Sequence, residues 1–194
     1  MDGVARMHRW RVPLTAAFVG AALALSRPET TVDLLAPGRS PRAWTIWALL
    51  LAGATVRLWG AGNLRKNQEV TTTGVYRLVR HPLYLGTLLL LLGFFWSLLP
   101  APQAVGLWAA LTIGVFGPTM LHEERELAAR FPEQARAAAR LPRLLPDLRR
   151  LPEALATDRF SWMQARRNLG LRAFLFVALL PPFLRLWTAL RAEF

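Results

Sequence analysis

Residues 74–86 bring ionisable and aromatic side chains directly against a long apolar stretch of the chain. Arg80 and His81 precede Pro82, and the residues after Tyr84 are almost wholly apolar. Proline is favoured at the first position of a helix because its missing N–H would have had no partner there. The sequence therefore predicts a membrane helix that begins at Pro82, with His81 and Tyr84 at the boundary. A reactive cluster at that depth can meet a water-soluble cofactor from one side and a lipid-like substrate from the other.

Two carboxylates, Glu123 and Glu124, directly follow a second apolar stretch. A carboxylate at the end of a membrane span is costly unless it is solvated or paired. Two interpretations stay open: an interfacial pair that Arg125 and Arg130 balance, or acidic members of a site that includes His81. In the second case, His81 or a glutamate is the evident general base for an acceptor that must lose a proton.

The composition predicts an all-α integral membrane protein. Of the 194 residues, 54% are hydrophobic and 19% charged, against roughly 25% charged in soluble domains. Charge is nearly absent from several stretches of about 17–20 residues, the length that spans a hydrocarbon core of about 30 Å. We expect one membrane domain with about five transmembrane helices and a cytoplasmic-face amphipathic helical segment. The expected spans are residues 13–25, 44–59, 82–99, 103–121 and 171–190, and the expected catalytic core is residues 57–146.

Cysteine is absent, which excludes disulfides, thiol catalysis and cysteine-based metal sites. The three histidines, His8, His81 and His122, lack the spacing of a zinc site, and no metal ligand is predicted. The net charge of +12 would suggest nucleic acid in a soluble protein. Here the arginines flank apolar stretches, where they orient helices and meet anionic headgroups. The expected partners are therefore a lipid bilayer and a lipophilic small molecule or lipid, with no nucleic acid.

The distribution of basic residues predicts the orientation of the spans. Cytoplasmic loops carry an excess of arginine and lysine. Most of the 24 basic residues lie in the N-terminus, in residues 57–81 and in residues 122–172. These segments are expected at the cytoplasmic face of a prokaryotic inner membrane. The chain then leaves that face at His81 and returns to it at Glu123 and Glu124, so the two polar clusters are predicted to converge.

Alternatives stay open at both ends of the chain. The first apolar span follows basic residues and could instead be a signal peptide. In the last span, Pro181-Pro182 is expected to interrupt the helix and Arg185 lies inside it, so a kinked or interfacial helix is an alternative. Beyond the glutamates, the amphipathic helix is expected to break or restart at Pro132.

The chain resembles the isoprenylcysteine carboxyl methyltransferase family, which is related to the membrane phospholipid methyltransferases. The likeness covers roughly residues 57–170. It is carried by two ordered motifs, Gly74-Val75-Tyr76 with Arg80-His81-Pro82-Leu83-Tyr84-Leu85-Gly86, and Glu123-Glu124-Arg125-Glu126-Leu127 with Phe131, Pro142-Arg143 and Pro146. Family members are similar in binding S-adenosylmethionine at the cytoplasmic membrane face. The resemblance thus implies a membrane methyltransferase with S-adenosylmethionine as its cofactor.

The resemblance also implies which residues form the site. The implied catalytic residues are His81, Glu123, Glu124 and Tyr84. The implied cofactor-binding residues are Glu69, Val70, Thr71, Tyr76, Arg80, His81, Pro82, Leu83, Tyr84, Gly86, Glu123 and Glu124. A glutamate can pair with the ammonium group of the cofactor, and arginine or backbone N–H groups can hold its carboxylate. Tyrosine faces can contact its adenine or its sulfonium.

The chain departs from the family where a lid and an acceptor site are expected. Pro132 stands in place of a usual glycine, Ala135 and Ala138 replace two tyrosines, and no arginine lies near Thr119. The predicted function is methyl transfer to a small lipophilic acceptor, foremost a carboxylate, for which positioning alone supplies much of the catalysis. The alternatives are an NADPH-dependent membrane reductase of the steroid-reductase type and a non-catalytic membrane protein that keeps the fold.

Overall fold

The computed structural model describes residues 2–65 and 70–193, with side chains described from residue 10 onward. Over this part of the chain the regular secondary structure is helical and contains no β-strand, which confirms the all-α prediction. The helices are α1 (Asp2–Leu25), α2 (Pro41–Asn63), α3 (Pro82–Leu98), α4 (Ala101–Leu111), α5 (Gly117–Arg130), α6 (Pro132–Ala138), α7 (Leu151–Ala156), α8 (Trp162–Arg167) and α9 (Arg172–Ala192). A π-helical turn, Thr112–Phe116, joins α4 to α5, and short 3₁₀ turns cover Pro28–Thr30, Pro37–Arg39, Gly74–Arg77 and Leu148–Arg150.

Three helices in the described part are long and apolar enough to cross a membrane. They are Pro41–Asn63, Arg172–Ala192 and the continuous helix Ala101–Arg130, which α4, the π-helical turn and α5 form together. The protein is thus a helical membrane protein. The predicted count of about five spans is not confirmed, because the other two apolar helices, Trp10–Leu25 and Pro82–Leu98, are shorter. The 17 residues of α3 rise about 26 Å at 1.5 Å per residue, less than a hydrocarbon core of about 30 Å.

Proline ends one helix and is accommodated in another. α5 ends at Arg130 and α6 begins at Pro132, and the intervening Phe131 has φ −136° and ψ 67°. The residue before a proline is disfavoured in the helical region, so the predicted break is confirmed. In α9 the expected interruption at Pro181-Pro182 is wrong, since the helix runs through both prolines over its 21 residues. Membrane helices tolerate proline where neighbouring groups satisfy the carbonyls that lose their donors.

The chain forms two compact units. Unit 1 contains the described residues of Met1–Ala52, Leu88–Thr119 and Phe174–Phe194, and in it α1 packs against α4. Unit 2 contains the described residues of Gly53–Thr87 and Met120–Ala173, and in it α7 packs against the turn that precedes α3. Every predicted site residue that the structure describes lies in unit 2.

In unit 1, arginine side chains donate hydrogen bonds to backbone carbonyls and to a carboxylate. The Arg42 guanidinium donates to the carbonyls of Trp96 and Leu99, which are among the carbonyls that the C-terminal end of α3 leaves without helical partners. Arg185, the charge inside α9, pairs with Asp33 at 3.0 Å between Nη2 and Oδ2. A charge in an apolar helix is retained where it is paired. The hydrogen bond from Arg185 also lowers the pKa of Asp33 below its ordinary value.

The core of unit 2 forms around the turn before α3 and the short helix α7. Its buried members are Val75, Tyr76, Leu78, Val79 and Ala154, and the partly buried Val56, Trp59, Leu64 and Leu85 pack against them. The residues just before Pro82 are therefore fixed by apolar packing, which gives Arg80 and His81 a rigid base.

Asn63, at the end of α2, is a buried polar centre of unit 2 and is only 2% exposed. Its Nδ2 donates to Asp158 Oδ1 at 2.7 Å, and its Oδ1 accepts from the Thr73 hydroxyl at 3.3 Å and the Arg159 N–H at 3.0 Å. Gly74 lies against it at φ +56°, where a Cβ would come within 2.6 Å of Nδ2. Buried amides persist when their polar atoms are paired, so Asn63 joins three segments that are distant in sequence.

Gly86 allows a close approach between α3 and α2 in unit 2. A Cβ at this position would lie 2.7 Å from the Gly53 carbonyl oxygen and 2.5 Å from Arg57 Cγ. Gly86→Ala is therefore expected to lower the free energy of unfolding by about 1–3 kcal/mol, since the helices must move to admit the methyl group. Denaturant unfolding of the purified protein in detergent measures the change.

Gly106→Ala in α4 is the matched control, because a Cβ there meets no atom within 4 Å. Alanine is favoured over glycine in a helix by about 1 kcal/mol, so this variant should match or exceed the parent protein in stability. Equal destabilisation by the two substitutions would contradict the packing role of Gly86.

Candidate functional site

Backbone pairing fixes the two segments that build the site. The Arg80 N–H donates to the Pro142 carbonyl at 2.8 Å, and the His81 N–H donates to the Arg143 carbonyl at 3.2 Å. These bonds hold the loop after α6 beside the start of α3. The loop thereby delivers the Arg143 side chain to the end of α3 where Arg80 and His81 already lie.

The carboxylate of Glu124, in α5, is the common partner of three side chains. Its Oε1 accepts from Arg80 Nη1 at 2.8 Å and lies 2.9 Å from His81 Nε2. Arg143 reaches both oxygens, with Nε 3.1 Å from Oε1 and Nη2 3.1 Å from Oε2. We call these four residues the Glu124 cluster. The predicted convergence of residues 80–81 with the glutamates is confirmed for Glu124.

The Glu124 cluster pairs a largely buried charge. The side chains of Glu124, Arg80 and His81 are 18%, 17% and 6% exposed, whereas that of Arg143 is 53% exposed. Charge-assisted hydrogen bonds are shorter and stronger than neutral ones, and they offset the cost of removing a carboxylate from water. An ionised carboxylate only accepts hydrogen bonds, so His81 Nε2 is the donor in this contact when Glu124 is ionised. The hydrogen bond to Glu124 also raises the pKa of Arg143.

Arg80 has a second structural task in unit 2. Its Nη2 donates to the Ala139 carbonyl at 2.6 Å and to the Leu141 carbonyl at 2.8 Å. Both carbonyls follow the end of α6, where helical donors are no longer present. Arg80 therefore ties the end of α6 to Glu124 of α5, and two of its nitrogens are used within the protein.

Glu123 lies in a different environment from its neighbour. Its Oε2 is buried and has no hydrogen-bond partner among the described residues. Burial and, after it, the negative charge of Glu123 raise the pKa of the Tyr76 phenol above its ordinary value. Tyr76 also belongs to the apolar core of unit 2. The two glutamates thus serve two separate groups of side chains, and Glu123 does not join the Glu124 cluster.

The remaining predicted site residues surround these two groups or pack the helices. The Tyr84 ring lies 5.6 Å from the His81 ring between centroids, at an angle of 58°. Pro82 is fully buried, and Gly86 lies against α2. The Leu83 carbonyl accepts hydrogen bonds from Thr87 and Arg57. The Val70 N–H donates to Gln134, and the Thr71 hydroxyl accepts from the Arg65 N–H. Glu69 lies outside the described residues. The catalytic and cofactor-binding roles of all these residues stay predictions.

Sequence reasoning missed Arg143 as a site residue. The sequence presents the Pro142-Arg143 pair only as part of a motif, and the proline directly before the arginine is the available signal. The fixed φ of Pro142 restricts the backbone directly before Arg143, which favours a fixed loop over a mobile one. The partner of Arg143 could not be deduced, because it lies 19 residues away on another element.

No group of three or more histidine, aspartate or glutamate side chains could hold a metal ion in the part of the chain whose side chains are described. His122 Nε2 and Glu126 Oε1 approach to 3.6 Å across one helical turn, and Glu126 is 55% exposed. This pair, with His122 largely buried at 16% side-chain exposure, lies outside the Glu124 cluster.

These features define a helical membrane protein with an ion-pair cluster at the ends of its apolar helices. The chain is 36% identical over 155 residues to the cobalt-zinc-cadmium resistance protein CzcN of Cupriavidus metallidurans, covering 76% of this chain and 68% of that one. It is 31% identical over 161 residues to the nickel-cobalt-cadmium resistance protein NccN of Alcaligenes xylosoxydans xylosoxydans, covering 76% of this chain and 69% of that one. The chain belongs to the family of these resistance proteins. No family model and no solved structure matches it.

These relatives correct the function predicted from the sequence. Their names point to metal resistance, so the prediction of a methyltransferase acting on a lipophilic acceptor is wrong. They name no NADPH-dependent reduction either. The resemblance to the isoprenylcysteine carboxyl methyltransferase family, the binding of S-adenosylmethionine and enzymatic activity as such are not tested by them and stay predictions.

Glu124→Ala leaves two guanidinium groups and one imidazole without their shared acceptor. Unpaired buried donors cost about 1–3 kcal/mol, so we expect the free energy of unfolding to fall by about that amount. Glu126→Ala, on the same helix but exposed, is the control and should have little effect. Denaturant unfolding in detergent compares them, and an equal effect of the two substitutions would contradict the role of Glu124.

Proposed function

We propose that this chain contributes, from within the membrane, to resistance against divalent transition-metal ions. The observation that carries the proposal is its 36% identity to a protein named for cobalt-zinc-cadmium resistance. The second relative is named for nickel-cobalt-cadmium resistance, so cobalt and cadmium are the metals that both names share. Three apolar helices of spanning length support a membrane location for this task.

In this proposal the Glu124 cluster has a structural role, and Glu124 is not a ligand of the metal. Both oxygens of the carboxylate accept hydrogen bonds from arginine, at 2.8 Å from Arg80 and 3.1 Å from Arg143. A divalent cation would be repelled by the two guanidinium groups and would have to displace them. The cluster instead holds α5, the start of α3 and the loop after α6 together, and metal resistance depends on that arrangement.

Metal tolerance in growing cells tests the proposal. Deletion of the gene from its own organism should lower the cobalt and cadmium concentrations that permit growth, and the unaltered chain should restore them. Glu124→Ala should restore less than the parent chain, whereas Glu126→Ala should restore as much. Immunodetection of membrane fractions corrects for the amount of each variant. Unchanged tolerance to cobalt, cadmium, zinc and nickel after deletion would refute the proposal.

Calorimetry with the purified protein separates the two parts of the proposal. Cobalt or cadmium titrated into the parent protein and into Glu124→Ala should give the same heat signal, because the carboxylate is already occupied by arginine. A cobalt signal that disappears in Glu124→Ala would make Glu124 a metal ligand. That result would overturn the structural role while leaving metal resistance itself intact.

A further inference from the structure

A row of leucines is exposed on the surface of unit 2. Leu145, Leu148, Leu151 and Leu155 expose 81%, 66%, 40% and 61% of their surfaces. Leu151 and Leu155 lie one turn apart on the same face of α7, and Leu148 begins the 3₁₀ turn Leu148–Arg150 that directly precedes this helix. Leu145 lies in the loop three residues before Leu148. Large apolar side chains that are exposed this close together in the chain favour a membrane or protein contact.

The next helix, α8, also exposes large apolar side chains, and basic side chains lie beside them. In α8, Trp162 and Met163 are 62% and 61% exposed, and Arg166 and Arg167 follow them by four residues each. Side chains four residues apart in a helix are neighbours on its surface. The four side chains line one open cavity of about 420 Å³. Tryptophan and arginine together are typical of the boundary between water and lipid.

The excess of positive charge around this surface indicates which kind of partner it can bind. Residues 140–172 contain eight arginines and only three acidic residues. Two of the three acidic residues are engaged within the unit, since Asp158 accepts from Asn63 at 2.7 Å and Asp147 pairs with Arg150 at 3.4 Å. The surface is therefore basic as well as apolar, which complements an anionic phosphate group beside an acyl chain.

This surface belongs to a segment that connects two helices of membrane-spanning length, so it lies near the membrane. The continuous apolar helix that contains α5 ends at Arg130, and α9 begins at Arg172. Residues 131–171 thus connect two helices that are each long and apolar enough to span. The connection between two consecutive spans begins and ends at the same membrane face. Side chains on it are within reach of the headgroups at that face.

We propose that this surface binds anionic phospholipids. Its apolar members lie at the boundary between headgroups and acyl chains, and they are Leu145, Leu148, Leu151, Leu155, Trp162 and Met163. Its basic members bind the lipid phosphates, and they are Arg166 and Arg167. The affinity of such an interfacial surface rises with its buried apolar area and with the anionic lipid content of the bilayer. The proposal goes beyond metal resistance and does not depend on it.

The absence of cysteine from the chain makes the proposal directly testable. Leu155→Cys provides one thiol for an environment-sensitive fluorophore on the otherwise unaltered chain. The labelled protein is reconstituted into vesicles with brominated acyl chains, made either of phosphatidylcholine alone or of an equal mixture with phosphatidylglycerol. We expect bromine to quench the label in both vesicles, and more strongly in the anionic mixture.

Glu153→Cys is the matched control for depth. Glu153 is exposed in the same helix, two residues from Leu155, and a separation of two residues turns a side chain by about 200°. Its label should be quenched much less than the label on Leu155→Cys. Equal quenching of the two labels would overturn the proposal, because α7 would then have no membrane-facing side.

Two further variants test the headgroup contact. Arg166→Gln combined with Arg167→Gln should remove the additional quenching in the anionic vesicles, while Arg166→Lys combined with Arg167→Lys should retain most of it. An anionic effect that survives the glutamine pair would refute these arginines as phosphate ligands. A label on Leu155→Cys that is shielded from aqueous iodide but unquenched by bromine would indicate a protein partner or a second copy, and would overturn the lipid assignment.

Discussion

Glu124 carries a carboxylate near the end of an apolar membrane helix, where an unpaired charge would be costly. Arg80, His81 and Arg143 together offset that cost by sharing its two oxygens. These partners come from the start of α3 and from the loop after α6. The same hydrogen bonds that satisfy the charge therefore fix the relative positions of three segments in unit 2. Arg80 extends this arrangement to the end of α6 through two backbone carbonyls.

A second polar centre of unit 2 forms around the end of α2. Asn63 holds Asp158 and the Arg159 N–H beside the end of α2, and Asn168 donates to the carbonyls of Ala61 and Leu64. Helix α8 lies between these two attachments in sequence, so its outward side chains are carried on a fixed segment. These hydrogen bonds of buried polar atoms fix the orientation of α8 and of the apolar and basic surface that we assign to lipid. The apolar core packs the unit but does not by itself set that orientation.

The function predicted from motifs is wrong by the names of the relatives, and the Glu124 cluster shows a structural use for the same residues. An arginine and a histidine before one membrane helix, with a glutamate at the end of the next, satisfy a charge at the membrane boundary. Any chain that must pair such a carboxylate can use those residue types at those places. The motif therefore reports a structural requirement as readily as a chemical one. The names of the relatives point to metal resistance, whereas the sequence holds no motif of metal-ligating residues that would have predicted it.

The sequence by itself determined the all-helical membrane class, the start of α3 at Pro82, the break before Pro132 and the return of the chain to His81 at Glu124. The first three follow from local rules about apolar length and proline geometry. The return follows from the distribution of basic residues along the chain. Only the tertiary structure decided that Glu124 and not Glu123 binds Arg80, that Arg143 completes the cluster, and that Gly86 serves helix packing. Successive side chains on a helix point about 100° apart. Which neighbour each adjacent glutamate meets is therefore set by how the surrounding segments pack, and sequence spacing alone does not contain that information.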